Sequence, residues 1–374
     1  MAGKINVILL FGGKSTEHEV SVRSARSIHN ALDKNKYHVI PVGITKNGSW
    51  VRGEEVLHVL KSGSQIRQLS GRTTILPDPN LRQLVNLSGS KAVIPQGDGE
   101  DINVVFPVLH GTYGEDGTIQ GLLELANIAY VGCNVLSSAL GMDKVKQKEI
   151  FRQYGIPVVN FLWFKKSVWK SKKNEVLDAI ERHFKENYPL FIKPPNNGSS
   201  VGITKAHDKK ELISGIEVAT KYDSKILVEQ GMEGTSEIEV SVLGNDDPVA
   251  SACGEVIPKA EFYDYDAKYI RDDTELNIPA DLKPELSDKV RRIACDAFLA
   301  MDGSGMARAD FFVNKNSNEV WLNELNTIPG FTPISMYPKL WEYSGIPYNK
   351  LVDRLIRLGI ERWKEKQEIR TSKT

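Results

Sequence analysis

The chain has no net charge: 48 Lys and Arg offset 48 Asp and Glu among its 374 residues. An even balance gives no electrostatic reason for nucleic acid or an anionic membrane to bind, so neither is expected as a partner. Cysteine is scarce. Cys133, Cys253 and Cys295 are an odd, scattered set without metal-ligand or redox spacing, which points to a reducing cytoplasm. The apolar run at residues 5–11 is too short to span a bilayer and stops at Gly12-Gly13. No small-residue cleavage site follows it, so a secretory signal is not expected. Repeats and long low-complexity tracts are also missing, and the length suffices for two or three domains with substantial cores.

The apolar runs that are present alternate with helical patterns. Residues 5–11 read as a core strand of a parallel sheet, 20–32 as an amphipathic helix, 37–44 as a second strand and 104–109 as a third, followed by a helix over 119–126. This order predicts a doubly wound α/β domain over residues 1–132, with its ligand where strands end and helices begin. Residues 61–100 are rich in Ser, Gly, Gln and Pro and read as loop or a peripheral insertion. A second unit is expected over 133–234, with a helix near 144–154, strands at 190–193 and 226–229, and a glycine-rich turn between them. A third is expected over 235–374 and ends in a helix over 351–363.

Chemistry concentrates near the C-terminal end. Phe311-Phe312-Val313 and Val320-Trp321-Leu322 read as strands around a polar turn, a hairpin that brings Asp310, Glu324 and Asn326 together. Oxygen donors without nearby His or Cys suit a hard cation such as Mg²⁺, which fills its remaining positions with water and phosphate oxygens. Upstream, Lys193 ends a strand and leads into Pro194-Pro195-Asn196-Asn197-Gly198-Ser199-Ser200-Val201-Gly202, where small residues let the backbone cradle phosphates. An ordinary hairpin with a surface lysine is the equally weighted plain reading. This is no Walker A loop, because Ile8 stands where the first glycine of that motif would precede Gly13-Lys14-Ser15. Lys144 after Met142-Asp143, the strand end Glu229-Gln230-Gly231-Met232 and Glu17 at a helix start each have bland readings: a solvated lysine, a plain strand terminus, a helix cap. The segment 262–269, with three tyrosines and Lys268, makes a poor core element and suits a loop that closes over a site.

Taken together, five motifs resemble the D-alanine–D-alanine ligase family of ATP-grasp enzymes across nearly the whole chain. They are His110-Gly-x-x-Gly-Glu-Asp-Gly117, Met142-Asp143-Lys144, Lys193-Pro with Gly198–Gly202, Tyr263-Asp-Tyr-Asp-Ala-Lys268-Tyr269, and Asn323-Glu324-Leu-Asn326-Thr-x-Pro329-Gly330. The resemblance implies an ATP-grasp fold behind the α/β domain, with α+β subdomains holding ATP. It implies that Lys144 and Lys193 contact phosphates, and that Glu229, Gln230, Met232 and Glu237 contact adenine and ribose, with Glu239 able to exchange roles with Glu237. Ser199, Ser200 and Lys268 would close over ATP, and Asp310, Glu324 and Asn326 would hold two Mg²⁺ ions, or Mn²⁺. Glu17 and His110 would bind the first D-alanine, Ser335 and Met336 the second, and Arg308 with Gly330 would stabilise the tetrahedral intermediate. Glu17, Ser199 and Tyr269 look like the set that ties the loops together. A homodimer is implied as well.

The expected reaction is joining two D-alanines through an acyl phosphate at the expense of ATP, in peptidoglycan precursor synthesis. The competing enzyme reading is a D-alanine–D-lactate ligase or another ATP-grasp carboxylate–amine ligase, which would differ at Glu17, Tyr269 and Ser335. A non-catalytic ATP sensor is the reading from another class, and the complete carboxylate set argues against it.

Overall fold

A computed structural model describes residues 3–58, 71–88, 91–93, 101–198, 200–257 and 275–370. The apolar first run forms β1 (Ile5–Gly12), followed by α1 (His18–Ala31), β2 (Tyr37–Ile44) and the short β3 (Trp50–Arg52). Next come β4 (Thr73–Ile75), β5 (Leu84–Ser88) and β6 (Lys91–Val93), then β7 (Val104–Val108), α2 (Thr118–Leu125) and β8 (Ala129–Tyr130). The main sheet has the order β3-β2-β1-β7-β8, and β1 pairs in parallel with both β2 and β7. Its central strands are buried on both faces, which explains their unbroken Val, Ile and Leu. β4, β5 and β6 form a separate antiparallel sheet, so of the two readings of this stretch, loop or peripheral insertion, its described part fits the insertion. Three-residue strands are too short to display a period.

The middle of the chain holds α3 (Val135–Met142), α4 (Lys144–Gln153), β9 (Phe161–Lys165), α5 (Lys166–Ser171), α6 (Lys173–Phe184), β10 (Leu190–Lys193), β11 (Thr204–Ala206), α7 (Lys209–Ala219) and β12 (Lys225–Gln230). Its antiparallel sheet runs β11-β10-β12-β9 and packs on α6 and α7 through a core of its own, including Phe164, Ile180, Ile192, Ile216 and Val228. The expected start of this unit at residue 133 differs from where its packing begins. Cys133, Phe151 and Ile156 bury in the core of the following sheet instead. The helical period at 144–153 is real, but it says nothing about which sheet receives the apolar face.

The last part comprises β13 (Ser236–Gly244), β14 (Val249–Ile257), β15 (Glu275–Asn277), α8 (Pro284–Ala300), β16 (Gly305–Asn314), β17 (Glu319–Asn326), α9 (Met336–Tyr343) and α10 (Tyr348–Glu368). Its sheet runs β15-β14-β13-β16-β17, with every pair antiparallel. α10 leaves this sheet and buries Leu351, Val352, Leu355 and Ile356 in one core with Val7, Leu9 and Phe106 of the first domain. The first and last domains are thereby one packed body, and the middle sheet abuts it. Among the described residues no helix is long and apolar enough to cross a membrane.

Candidate active site

The three sheets converge on a cleft of about 540 Å³, within the size range of small-ligand sites. Every described residue expected above to touch ligand lines it: Glu17, His110, Lys144, Lys193, Ser200, Glu229, Gln230, Met232, Glu237, Arg308, Asp310, Glu324, Asn326, Gly330, Ser335 and Met336. Ser199, Lys268 and Tyr269 lie outside the described residues.

The expected hairpin forms between β16 and β17. Asp310 stands opposite Glu324 and Arg308 opposite Asn326, so four polar side chains occupy two rungs on one face, with the Ala309–Leu325 pair between them. On the other side of β16, Glu239 of β13 is the partner of Asp310, which aligns three carboxylates across three strands. Their charge is compensated from within the chain. The Arg308 guanidinium donates to both oxygens of Asp310 at 2.7 Å and sits 3.0 Å from Glu239. Asn326 donates its amide N–H to Asp310 at 3.0 Å, which leaves the amide oxygen as a donor for a cation. Lys144 Nζ is 3.2 Å from Glu324. That carboxylate outweighs the burial that would lower the lysine, and the Lys144 pKa lies above its usual value.

Lys144 also joins sheet to loop. Its ammonium donates to the Asn197 carbonyl at 3.2 Å, and its backbone N–H donates to Pro195. The loop after Lys193 is indeed a hairpin connection, since β10 pairs antiparallel with β11. The turn also borders the cleft, and Lys193 is buried against Glu229 rather than lying on the surface. Gly198 packs against Glu17 of the first domain: a Cβ there would lie 2.8 Å from the Glu17 carboxylate. The capping reading of Glu17 does not hold. It is the N-cap residue of α1, yet its side chain caps no helix N–H.

Opposite, the loop after β17 is pinned at three points. His110 Nδ1 donates to the Ile328 carbonyl at 3.0 Å, Ser24 Oγ accepts from the Phe331 N–H at 3.2 Å, and the Tyr348 hydroxyl donates to the Phe331 carbonyl at 2.8 Å. Phe331 is packed edge-on to Phe106. These contacts fix Pro329-Gly330 at the cleft wall. Burial pushes the His110 pKa down despite the Glu17 charge, so the imidazole is neutral near pH 7.

Residues 6–133 match the D-ala D-ala ligase N-terminus family and residues 150–357 the D-ala D-ala ligase C-terminus family. The chain belongs to the D-alanine–D-alanine ligase family. It is 48% identical over 363 residues to the D-alanine–D-alanine ligase of Natranaerobius thermophilus, covering 97% of each chain. It is 49% identical over 370 residues to that of Caldicellulosiruptor bescii, covering 99% of each. The solved D-alanine–D-alanine ligase of Coxiella burnetii superposes with a TM-score of 0.82 at 37% identity, covering 98% of this chain and 97% of that one. A D-Ala:D-Ser ligase from Enterococcus faecalis gives 0.83 at 34% identity, covering 96% and 100%. The fold of this ligase-family chain is accordingly ATP-grasp, preceded by the parallel-sheet domain.

In this D-alanine–D-alanine ligase family member the side chains of Glu229 and Gln230 find partners within the protein, so the adenine contact expected of this strand end would come from its backbone groups. The Glu229 side chain does not open toward a ligand edge. It is buried between Lys148 at 2.7 Å and Lys193 at 2.5 Å. Burial alone would raise its pKa, but the two lysines hold the carboxyl down at about 2. Gln230 turns its amide to the carbonyls of Asn187 and Pro189. Sequence reasoning also passed over Glu115 and Lys148. Glu115 accepts the Gly111 N–H at 2.6 Å, and burial, with Glu17 next, raises its carboxyl to about 8. Its only sequence signal is its place in the His110–Gly117 loop. Lys148 has one signal, its position a helical turn after Lys144.

Proposed function

We propose that this protein joins two D-alanines to D-alanyl-D-alanine, using ATP and releasing ADP and phosphate, as a cytoplasmic step of peptidoglycan precursor synthesis. The carrying observation is that one cleft collects two lysines, paired carboxylates and a pinned Gly330 loop from three sheets, in a chain with full-length ligase relatives. Lys144 and Lys193 are placed to meet phosphate charge, and Glu237 on the same strand face as Glu239 is placed for ribose. The Arg308 partnership of Glu239 favours Glu237 for that role.

The oxygen donors of Asp310, Glu324 and Asn326 fit Mg²⁺ or Mn²⁺. Among the described residues no three His, Cys, Asp or Glu stand in metal-binding geometry, so Asn326 completes the set. When bound, two such ions would neutralise phosphate charge during in-line transfer. Glu17 would face the amino group of the first D-alanine, and attack of the D-alanine carboxylate on the γ-phosphorus releases ADP and leaves D-alanyl phosphate. The neutral amine of the second D-alanine, bounded by Ser335 and Met336, then attacks the acyl carbon. Phosphate departs and the nitrogen gives up its proton. Arg308 and the Gly330 N–H are positioned for the oxyanion between these steps.

The acceptor we propose is D-alanine rather than D-lactate, because Tyr269 supplies a phenolic hydroxyl for the Glu17–Ser199 set. A homodimer is proposed from family resemblance alone. Incubation with ATP, Mg²⁺ and D-alanine, followed by paired assay of phosphate and dipeptide, tests the reading. Phosphate and dipeptide in equal amounts are expected; ATP consumption without dipeptide overturns it.

A further inference from the structure

Lys148 is a lysine with almost no solvent: its side chain is 1% exposed and that of its partner Glu229 is 2% exposed. The Lys148 ammonium reaches Glu229 at 2.7 Å and donates to the Asn323 carbonyl at 2.8 Å. The other Glu229 oxygen takes Lys193 at 2.5 Å. Lys148 thus bridges β12 of the middle sheet to β17 of the last one, immediately before Glu324. Its helix also carries Lys144, whose ammonium lies 3.2 Å from Glu324. A buried ammonium is expensive to desolvate and tends to be replaced by an apolar residue unless its charge serves a purpose. Without Lys148, Glu229 and Lys193 would cancel, and the lysine at the cleft would present no net charge to a phosphate. With an ammonium at Lys148, which burial disfavours and the Glu229 carboxylate favours, the trio carries one positive charge, and both Lys193 and Glu229 border the cleft.

We propose that Lys148 is a positioning residue for nucleotide binding: it neutralises Glu229 so that Lys193 stays available to phosphates, and it holds the strand of Lys193 in register with that of Glu324. The inference rests on the ATP-ligase reading above. Glu17, expected at the amino group of the first D-alanine, and His110, expected near its carboxylate, belong to the first domain, on other elements than the trio. Loss of Lys148 should therefore act on ATP and spare D-alanine.

The test measures ATP binding by calorimetry and the KM of each substrate in four proteins. Wild type must bind ATP and make dipeptide, since failure there rejects the ligase reading and not this one. Lys148→Met should weaken ATP binding and raise the ATP KM on the order of tenfold, with the D-alanine KM within about twofold. Lys148→Arg should recover most of the loss. Adding Glu229→Gln to Lys148→Met frees Lys193 again and should also recover most of it. Unchanged ATP binding in Lys148→Met, equal effects on both KM values, or no recovery in the neutralised pair overturns the proposal. If Lys148→Met alone does not fold, the neutralised pair decides: near-normal ATP binding supports charge compensation, and a tenfold deficit overturns it.

Discussion

Single side chains in the cleft are held by charges that ligand binding must redistribute. Glu324 shares its charge with Lys144 while standing opposite Asp310. Glu324→Gln keeps the shape and removes the charge. Turnover should fall about a hundredfold or more, while unfolding free energy moves by no more than about 2 kcal/mol. Phosphate release across a Mg²⁺ titration, beside urea unfolding, reads both, and near-normal turnover at limiting Mg²⁺ would remove Glu324 from the metal site. Glu115 makes a pH prediction of definite sign. Its carboxyl rises from 4.5 to about 8 on folding, because burial and then Glu17 disfavour its charge. The folded chain therefore binds the extra proton between those values. The stabilisation this represents is complete below the lower value and is lost as pH climbs toward the upper one. Unfolding midpoints should decline with pH across this window more steeply in wild type than in Glu115→Gln; parallel curves would show that Glu115 ionises normally.

Elements differ in how much of their behaviour is local. The strands at 37–44 and 190–193 form where β-branched and aromatic runs place them. α1 and α4 start close to their expected first residues, because the amphipathic stripe and the Asp143 cap are local signals. Asp143 accepts from the Val145 and Lys146 N–H groups. The short strands β4 to β6 carry no such signal. The terminal helix shows the limit from the other direction. Gly359 sits within α10, where propensity alone makes Ala better by about 1 kcal/mol. A Cβ there would lie 2.5 Å from the Tyr130 carbonyl oxygen at the end of β8. That atom is backbone and cannot swing aside, and Arg362 one turn on bonds the same carbonyl at 3.1 Å. Gly359→Ala should therefore destabilise, by about 1–3 kcal/mol through overpacking. Thermal unfolding reads it, and a raised midpoint would mean that helix and strand are not in tight contact.

At the scale of the whole molecule, the joint between domains governs the chemistry. One core spans the first and last domains, while the middle sheet has its own, so the cleft lies between bodies with separate cores. Fold likeness does not select the acceptor, since ligases of different product share this architecture at similar TM-scores. We propose that Tyr269 makes that choice. If Tyr269 has the role proposed for it, Tyr269→Phe would remove a hydrogen-bonding hydroxyl, at a cost of about 1–3 kcal/mol. Competition between D-alanine and D-lactate, scored by product mass over a pH series, should favour dipeptide in wild type near neutrality and gain ester in the variant. A wild-type preference for D-lactate, or an unchanged ratio in Tyr269→Phe, would refute this assignment.

Much of the cleft was legible in the linear chain because its expected site residues lie within short motifs in or next to the regular elements. Asp310 and Glu324 meet through a hairpin closed by a four-residue turn at 315–318, a local event that alternation and turn residues specify. The sequence alone thus determined most of the longer elements and the hairpin of carboxylates. Tertiary structure decided the pairings between distant segments: Lys148 on Glu229 and Asn323, Gly198 against Glu17, and Phe151 in the last core rather than the middle one. Ion pairs and close approaches of this kind depend on where sheets dock. Docking is set by the shapes of whole apolar faces, a sum over many residues that no single motif carries.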